Sequence, residues 1–152
     1  MSRLTELSSL ESHLGYWLRY VSNHVSHAFA LKLEGRGVTV AEWVVLRELY
    51  DGESAPSALA GKLGMTRGAI SKLADRLIAK ELIARRASAS DRRFQSLALT
   101  RQGRAALPKL AALADENDEG FFADLDPETR ETIMGAMKEI VRRKGLRGAP
   151  VD

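Results

Sequence analysis

The sequence predicts a mainly α-helical fold that contains one small β-hairpin. Apolar residues recur at spacings of three and four along most of the chain, as expected for amphipathic helices. Capping residues and stop signals, such as Thr39 and Gly35, divide these stretches into six helices. Two short runs with strand character, residues 82–87 and 94–99, flank a polar hexapeptide and predict the hairpin.

The composition predicts a single domain, residues 1–152, and excludes several classes of protein. Apolar residues make up 45% and charged residues 28% of the chain, which is typical of a globular protein. No cysteine is present, which excludes disulfides, thiolate metal sites and cysteine nucleophiles. Neither a signal peptide nor a membrane-spanning run is recognisable, so the expected location is the cytoplasm, on the nucleoid, without membrane contact.

The first predicted helix runs from near Ser9 to Leu33 and ends before Gly35 and Gly37. Its aliphatic residues share an arc of about 80°; they are Leu7, Leu10, Leu14, Leu18, Val21, Val25 and Ala28. A second helix follows a capping box formed by Thr39 and Glu42.

A tight corner between two helices is predicted around Gly64. Pro56 lies in the first turn of a short helix, Gly64 follows its last apolar residue, and Thr66 caps the next helix. That next helix, residues 67–80, has an apolar side with the spacing i, i+3, i+4, i+7, made of Ile70, Leu73, Ala74 and Leu77. Together with the hairpin, this corner predicts a winged helix-turn-helix over about residues 36–104.

Two long helices follow the hairpin. Thr100 caps the first, which reaches Phe122 and should kink at Pro108. Asp126 and Pro127 open the last helix, whose apolar stripe is Ile133, Met134, Met137, Ile140 and Val141. A small domain cannot easily bury the stripes at its two ends, so residues 5–35 and 105–144 are interpreted as dimerisation helices. Residues 145–152 are expected to form a disordered tail.

Positive charge is concentrated around the corner and the hairpin. Between Lys62 and Arg104 there are eleven Lys and Arg residues against three acidic ones, a balance of +8, whereas the whole chain carries +3. The rest of the chain therefore sums to −5. Such an asymmetry points to a polyanionic partner.

The polar side of helix 67–80 suits the major groove of double-stranded DNA. Gly68 leaves room for close approach, Ser71 can reach bases or phosphate, and three cations are available on this helix: Arg67, Lys72 and Arg76. Thr66 adds a hydroxyl at a helix N-terminus that favours phosphate. Asp75 is expected to orient a neighbouring arginine rather than to touch DNA.

The wing carries four arginines, which are Arg85, Arg86, Arg92 and Arg93. An arginine at its tip suits the negative potential of a narrow minor groove. Asp91 could orient the tip through a salt bridge.

The stretch "MTRGAISKLADRLIAKELIARRASASDRRFQSLALTRQG" resembles the signature of the MarR family of bacterial transcriptional regulators, and "VTVAEWVVLREL" resembles the family's second helix. The likeness extends from about Leu10 to Arg143. It implies a homodimer that binds a pseudo-palindromic operator and responds to a small, often phenolic, ligand. The family's wing motif falls on Asp91 and Arg93, and its recognition-helix contacts fall on Thr66, Arg67, Gly68, Ser71 and Lys72.

A second stripe on the first helix is a possible ligand site. It contains His13, Trp17, Tyr20, His24 and His27. Aromatic and histidine side chains would suit a planar anion, but the same stripe could simply pack in a dimer interface. His24 and His27 also have metal-ligand spacing, yet the nearest third histidine is His13, about three turns away. No metal and no cofactor is therefore predicted.

Two other classes of function were weighed. An enzyme is poorly supported, because none of the common phosphate-binding, metalloprotease or nucleophile motifs occurs. A winged helix used for DNA architecture or protein interaction, without an effector, remains the alternative. The sequence therefore predicts a DNA-binding transcriptional regulator, and a ligand-responsive homodimeric repressor in particular.

Overall fold

The computed structural model describes residues 6–87, 95–148 and 150–151, and it confirms the predicted fold class. Six α-helices lie within this part of the chain: α1 Leu14–Glu34, α2 Val40–Tyr50, α3 Pro56–Leu63, α4 Arg67–Ala79, α5 Arg101–Phe122 and α6 Pro127–Lys144. Strands β1 Ile83–Ala87 and β2 Gln95–Leu99 form the hairpin between α4 and α5. No helix of the described residues is long and apolar enough to cross a membrane.

The first helix begins later than the sequence predicts. A 3-10 turn, Leu10–Ser12, precedes it, and His13 has an extended backbone with φ −94° and ψ 123°. The Ser12 hydroxyl donates to the Ser9 carbonyl at 2.7 Å, which stabilises this separate turn. Continuation of the apolar pattern through Leu10 concealed the break, since a 3-10 turn has nearly the same spacing as an α-helix.

The predicted N-caps are confirmed at four helices. A side-chain oxygen of Thr39, Thr66, Thr100 and Asp126 accepts a hydrogen bond from the backbone N–H three residues later, at 2.7–3.1 Å. Such bonds satisfy N–H groups that have no partner inside the helix. The bond from the Thr129 N–H lowers the pKa of the Asp126 carboxyl from its ordinary value.

The hydrophobic core surrounds the helix-turn-helix corner. Its buried members come from the end of α1, from α2, α3 and α4, from both strands and from the first half of α5; the largest include Leu33, Leu46, Leu49, Leu59, Ile70, Leu77 and Leu97. Helix α6 contributes no buried residue, and α1 contributes only Leu33. The core therefore holds the middle of the chain, while the two ends project from it.

The hairpin is antiparallel, with Ile83 opposite Leu99 and Ala87 opposite Gln95. A third segment joins it at one residue: Ser54 and Leu97 exchange backbone hydrogen bonds of 3.0 and 2.8 Å. This single bridge ties the α2–α3 loop to the base of the wing. A one-residue contact has no periodicity, so the sequence pattern could not predict it.

The start of α5 is pressed against the start of the hairpin. Thr100 donates twice, from its backbone to Leu82 O at 3.1 Å and from its hydroxyl to Glu81 O at 2.6 Å. A Cβ atom on Gly103 would lie 2.0 Å from the Leu82 carbonyl oxygen, so only glycine fits there. The helix then continues through Pro108 to Phe122 without a break.

Candidate nucleic-acid interface

The helix-turn-helix corner is formed by three residues between α3 and α4. Gly64 ends α3 in the left-handed conformation, with φ +65° and ψ 29°, which a side chain disfavours. The Met65 N–H donates to Ala60 O at 2.9 Å, and Thr66 then caps α4. These local bonds fix the direction in which α4 leaves the corner.

Helix α4 has one buried and one exposed side, as the sequence predicts. Ile70, Leu73, Ala74 and Leu77 are buried. The predicted DNA-binding residues of this helix and its cap are all exposed; they are Thr66, Arg67, Gly68, Ser71, Lys72 and Arg76. We call this set the α4 polar face. It brings three cations and two hydroxyls onto one surface.

Asp75 connects the α4 polar face to the wing. Its Oδ1 accepts a hydrogen bond from Nη2 of Arg85 on β1 at 2.8 Å. The expectation that Asp75 orients a neighbouring arginine is thereby confirmed. The pair is solvent-exposed, so its contribution to stability is small, but it fixes the wing strand relative to α4.

Three predicted wing residues, Asp91, Arg92 and Arg93, lie outside the described residues. The described part of the wing ends at Ala87 and resumes at Gln95. Arg86, which lies opposite Ser96 in the hairpin, is exposed on the same strand as Arg85.

A buried carboxylate holds the other end of α4. Lys80, the residue that follows α4, donates from Nζ to Glu42 Oε2 at 2.6 Å and to Gly37 O at 2.7 Å. The Glu42 side chain is only 1% exposed. Lys80 thus joins α4 both to the N-terminus of α2 and to the α1–α2 turn. The sequence pattern predicts that Glu42 completes a capping box with Thr39, yet the structure pairs its carboxylate with Lys80.

A second lysine–glutamate pair is, by contrast, exposed to solvent. Lys62 on α3 lies in hydrogen-bonding contact with Glu48 on α2, and this contact raises the pKa of the Lys62 ammonium. Lys62 is two-thirds exposed, in contrast to the enclosed carboxylate of Glu42.

The structure keeps Trp17, Tyr20 and His24 of the predicted histidine and aromatic stripe together on α1, whereas His13 precedes the helix. His13 lies at the 3-10 turn with Nδ1 2.9 Å from Ser9 O, and Trp17 donates from Nε1 to Glu11 O at 2.9 Å. Tyr20 and His24 have ring centroids 5.2 Å apart and line an open hollow with Phe121, Phe122 and Leu125. His27 is exposed. The described residues contain no group of three or more His, Cys, Asp or Glu side chains that could hold a metal ion.

A cavity of about 340 Å³ lies between α1, α2 and α5. We call it the interhelical cavity. Its walls are largely apolar, with Val25, Phe29, Val40, Trp43, Val44 and Ala114 contributing, while Ser26, Asn117 and Asp118 supply polar groups. The rings of Phe29 and Trp43 meet nearly at right angles, with centroids 6.4 Å apart. None of the five predicted ligand-binding residues lines this cavity.

Asn117 is the buried polar group of the interhelical cavity, and it is only 4% exposed. Its Oδ1 accepts from Lys32 Nζ at 2.9 Å, and its Nδ2 donates to Val25 O at 3.1 Å. The amide therefore joins α5 to α1 at two points. Because the amide nitrogen carries two hydrogens, one remains for another acceptor.

Comparison with known proteins decides the family. A model of the MarR family matches residues 36–93, which include α2, α3, α4 and β1. A putative transcriptional regulatory protein for the hcr operon of Thauera aromatica is 31% identical over 146 residues, which are 93% of this chain and 88% of that protein. The chain belongs to the MarR family.

Solved structures share the fold of this MarR-family chain. A probable transcriptional regulator from Pseudomonas aeruginosa has a TM-score of 0.75 and 28% identity, over 87% of this chain and 99% of that one. BpsR of Bordetella bronchiseptica, whose DNA binding is regulated by 6-hydroxynicotinic acid, has a TM-score of 0.77 and 23% identity, over 89% and 97% of the two chains. The family relatives found are transcriptional regulators rather than enzymes.

Loss of the Lys80 ammonium should destabilise this MarR-family fold, because it leaves the buried Glu42 carboxylate without its partner. We expect Lys80→Met to lower the free energy of unfolding by about 1–3 kcal/mol. Lys62→Met, which breaks an exposed pair, should cost less. The double variant Glu42→Gln with Lys80→Met should recover part of the loss, since no charge is then buried alone. Urea denaturation at one protein concentration measures all three, and equal losses for the two single variants would contradict this account.

Proposed function

We propose that this MarR-family chain is a homodimeric repressor that binds a pseudo-palindromic operator and releases it when a small aromatic ligand binds. The observation that carries the proposal is the α4 polar face, which presents Arg67, Lys72 and Arg76 on the second helix of a helix-turn-helix corner. The second helix of such a corner enters the major groove, with its N-terminal residues at base edges. The site of action is then chromosomal DNA in the cytoplasm.

Helix α4 and the wing are proposed to make different kinds of contact with DNA. Arg67, Ser71 and Lys72 lie near the N-terminus of α4, where side chains can reach base edges. Thr66 and Arg76 are assigned to phosphates, and the wing residues Arg92 and Arg93 to backbone or minor groove, with Asp91 orienting them. Asp75 is occupied by Arg85 and therefore supports the wing rather than the bases.

Dimerisation is proposed from the exposed apolar faces of α1 and α6. Leu14 is 79% exposed and Met134 52% exposed. The other large apolar side chains on these faces are Leu18, Val21, Ile133, Met137, Ile140 and Val141, and Leu10 in the 3-10 turn before α1 is exposed as well. Apolar surface of this extent on a monomer marks an interaction site. A second copy is the occupant proposed, because a symmetric pair places two α4 helices on the two half-sites of a palindrome.

Charges placed on the apolar face of α6 should break the dimer. We expect Met137→Glu with Ile140→Glu to weaken dimerisation by at least about a hundredfold, because the symmetric contact loses both side chains from each copy. Operator affinity should fall in parallel, since the half-sites then bind separately. Lys138→Glu on the same helix is the control and should leave the dimer intact. Sedimentation across a concentration series measures the effect, and an unchanged dimer would remove this part of the proposal.

Base contacts and phosphate contacts should separate in binding measurements. We expect Arg67→Ala or Lys72→Ala to cost about 1–3 kcal/mol on the operator and to relax base preference at a few positions. Arg93→Ala should weaken operator and scrambled DNA alike and lower the salt slope by about one per site. The measurement is titration of both duplexes across a salt series, with the operator selected from a random pool.

Lys138→Ala, a cation on α6, is the matched control for loss of one positive charge. It should leave operator affinity unchanged. If Arg67→Ala and Lys72→Ala lost no more affinity than this control, α4 would not be the recognition helix. A chain that bound selected and random duplexes equally well would instead be an architectural module, the alternative function. The architectural alternative does not explain the α4 polar face, which fits the major groove, or the interhelical cavity.

The interhelical cavity is proposed as the effector site. Its volume falls in the range of small-ligand pockets, and its apolar walls with a few polar groups fit a flat aromatic molecule that carries a hydrogen-bond acceptor. Helix α2 connects the cavity to α4, because Trp43 and Val44 line the cavity while Glu42 holds Lys80. The regulation of BpsR by 6-hydroxynicotinic acid supports a ligand of this class. The stripe of His13, Trp17, Tyr20, His24 and His27 is the competing site.

Filling the interhelical cavity should remove the ligand response and spare DNA binding. We expect Ala114→Phe to abolish release of operator DNA by aromatic carboxylates, with 6-hydroxynicotinic acid as the first probe, because the new ring occupies the ligand's space. Ala112→Phe, on an exposed position of the same helix, is the control for added bulk. Release is measured by polarisation of a labelled operator duplex.

The double variant Trp17→Ala with His24→Ala tests the competing stripe. It should keep ligand-induced release if the interhelical cavity is the site. Loss of release in this variant, with release intact in Ala114→Phe, would move the effector to the stripe. A wild-type chain that no aromatic carboxylate releases would contradict the proposed ligand class.

A further inference from the structure

The C-terminal tail has a defined position that neither the DNA-binding face nor the dimer face explains. Helix α6 ends at Gly145, which is left-handed with φ +59°. The Gly145 N–H donates to Arg142 O at 3.3 Å, and the Leu146 N–H donates to Val141 O at 3.0 Å. These bonds close the helix and release the chain in a new direction. The sequence predicts a disordered tail over residues 145–152, of which the structure describes residues 145–148 and 150–151.

The tail meets the helix-turn-helix corner through two glycines. A Cβ atom on Gly64 would lie only 2.5 Å from the Cα atom of Gly148, so the two backbones are in direct contact. Gly148 has φ +99°, a conformation that residues with a side chain rarely adopt. Gly64 ends α3 and lies two residues before Thr66, the cap of α4. The tail therefore contacts the turn that sets the direction of α4.

Two residues further on, the tail reaches the interhelical cavity. Pro150 lines this cavity together with Phe29, Trp43 and Asn117. Val151 beside it is half-buried. One short segment thus lines the cavity at Pro150 and contacts the corner at Gly148, while α1, α2 and α5 supply the other lining residues of the cavity.

We propose that the C-terminal tail is a working part of the effector site and couples occupancy of the interhelical cavity to the helix-turn-helix corner. This inference rests on the proposed function, because it names the physical link between ligand and DNA. A flat apolar ligand that fills the cavity contacts or displaces Pro150, and the movement is passed through Gly148 to Gly64. Conversely, DNA that holds the corner in one position favours one position of the tail. Such coupling requires that the ligand bind the two positions with different affinity.

Trp43 offers a probe of the tail that needs no ligand. The chain has two tryptophans, Trp17 and Trp43, so Trp17→Phe leaves the indole of the cavity as the only one. In that background, acrylamide quenching of fluorescence reports the access of solvent to Trp43. Truncation after Arg147 removes Gly148 and Pro150 but keeps the Leu146 bond that closes α6.

We expect truncation to raise the quenching constant about twofold, since one wall of a half-buried side chain is lost. Gly148→Ala, which disfavours the observed backbone conformation, should raise it in the same direction. Gly135→Ala on α6 is the control, because a Cβ there meets nothing within 4 Å. Equal quenching constants for the full-length and truncated chains would overturn the placement of the tail.

The coupling itself is tested by adding an operator duplex selected from a random pool. Binding should change the quenching constant of the full-length chain more than that of the truncated chain, in which only the link through α2 remains, with sedimentation showing the same oligomer for both. A change of equal size in the two chains would overturn coupling through the tail. Absence of DNA binding would overturn the coupling together with the proposed function, whereas the first comparison would still place the tail against Trp43.

Discussion

Burial of one side of α4 is the constraint on which the rest of the structure depends. Ile70, Leu73 and Leu77 lie on that side and are 5% exposed or less, and each fully buried aliphatic side chain contributes about 1.5–3 kcal/mol. Rotating α4 about its axis would expose several of them at once, at a cost comparable to the whole stability of a small domain. The orientation of the opposite side is therefore fixed by the core. Burial of one side is therefore enough to present the cations of the α4 polar face to the outside.

Polar contacts then refine what burial fixes. Burial determines which side of α4 faces outward, but it does not by itself prevent the helix from tilting against the hydrophobic core. Lys80 restrains one end through Glu42 and Gly37, and the Gly64 turn restrains the other. Asp75 ties the middle to the wing strand. Because α4 is held at both ends, a displacement at Lys80 or at the Gly64 turn must alter the angle of α4 relative to the core.

The sequence predicted the fold and the two-sided character of α4, because these follow from local patterns. Caps such as Thr66, the apolar spacing of α4 and the two strand-like runs each depend on a few neighbouring residues. Contacts between distant segments could not be predicted in the same way. Glu42 and Lys80 are 38 positions apart, and Gly64 and Gly148 are 84 apart. Residue type alone does not indicate such a pairing, although Glu42 lies among apolar neighbours at the start of α2, which was a possible signal.

The proposed effector site could not be predicted from the sequence for a similar reason. The histidine and aromatic stripe is a genuine feature of α1, since Trp17, Tyr20 and His24 are neighbours on it. Periodicity identifies which residues share a face, but it does not show where a second and third helix leave space. The interhelical cavity is formed by α1, α2 and α5, whose lining residues lie far apart in the sequence. Asn117, its buried amide, carries no pattern that distinguishes it from the acidic residues beside it.

The length of α5 separates the basic and the acidic groups of the chain in space. Its 22 residues span about 33 Å, with Arg101 and Arg104 in the first turn beside the wing. Asp115, Glu116, Asp118 and Glu119 lie in its second half. These groups are about 16–27 Å apart along the helix, which is about two to three times the Debye length of about 8 Å at physiological salt, so the acidic end does little to cancel the field of the basic end. A DNA phosphate backbone is attracted to one end of the rod and repelled from the other, which orients the molecule before any base is read. The same helix joins the junction at Gly103 to the interhelical cavity at Asn117, so the proposed DNA-binding unit and the proposed effector site share one element.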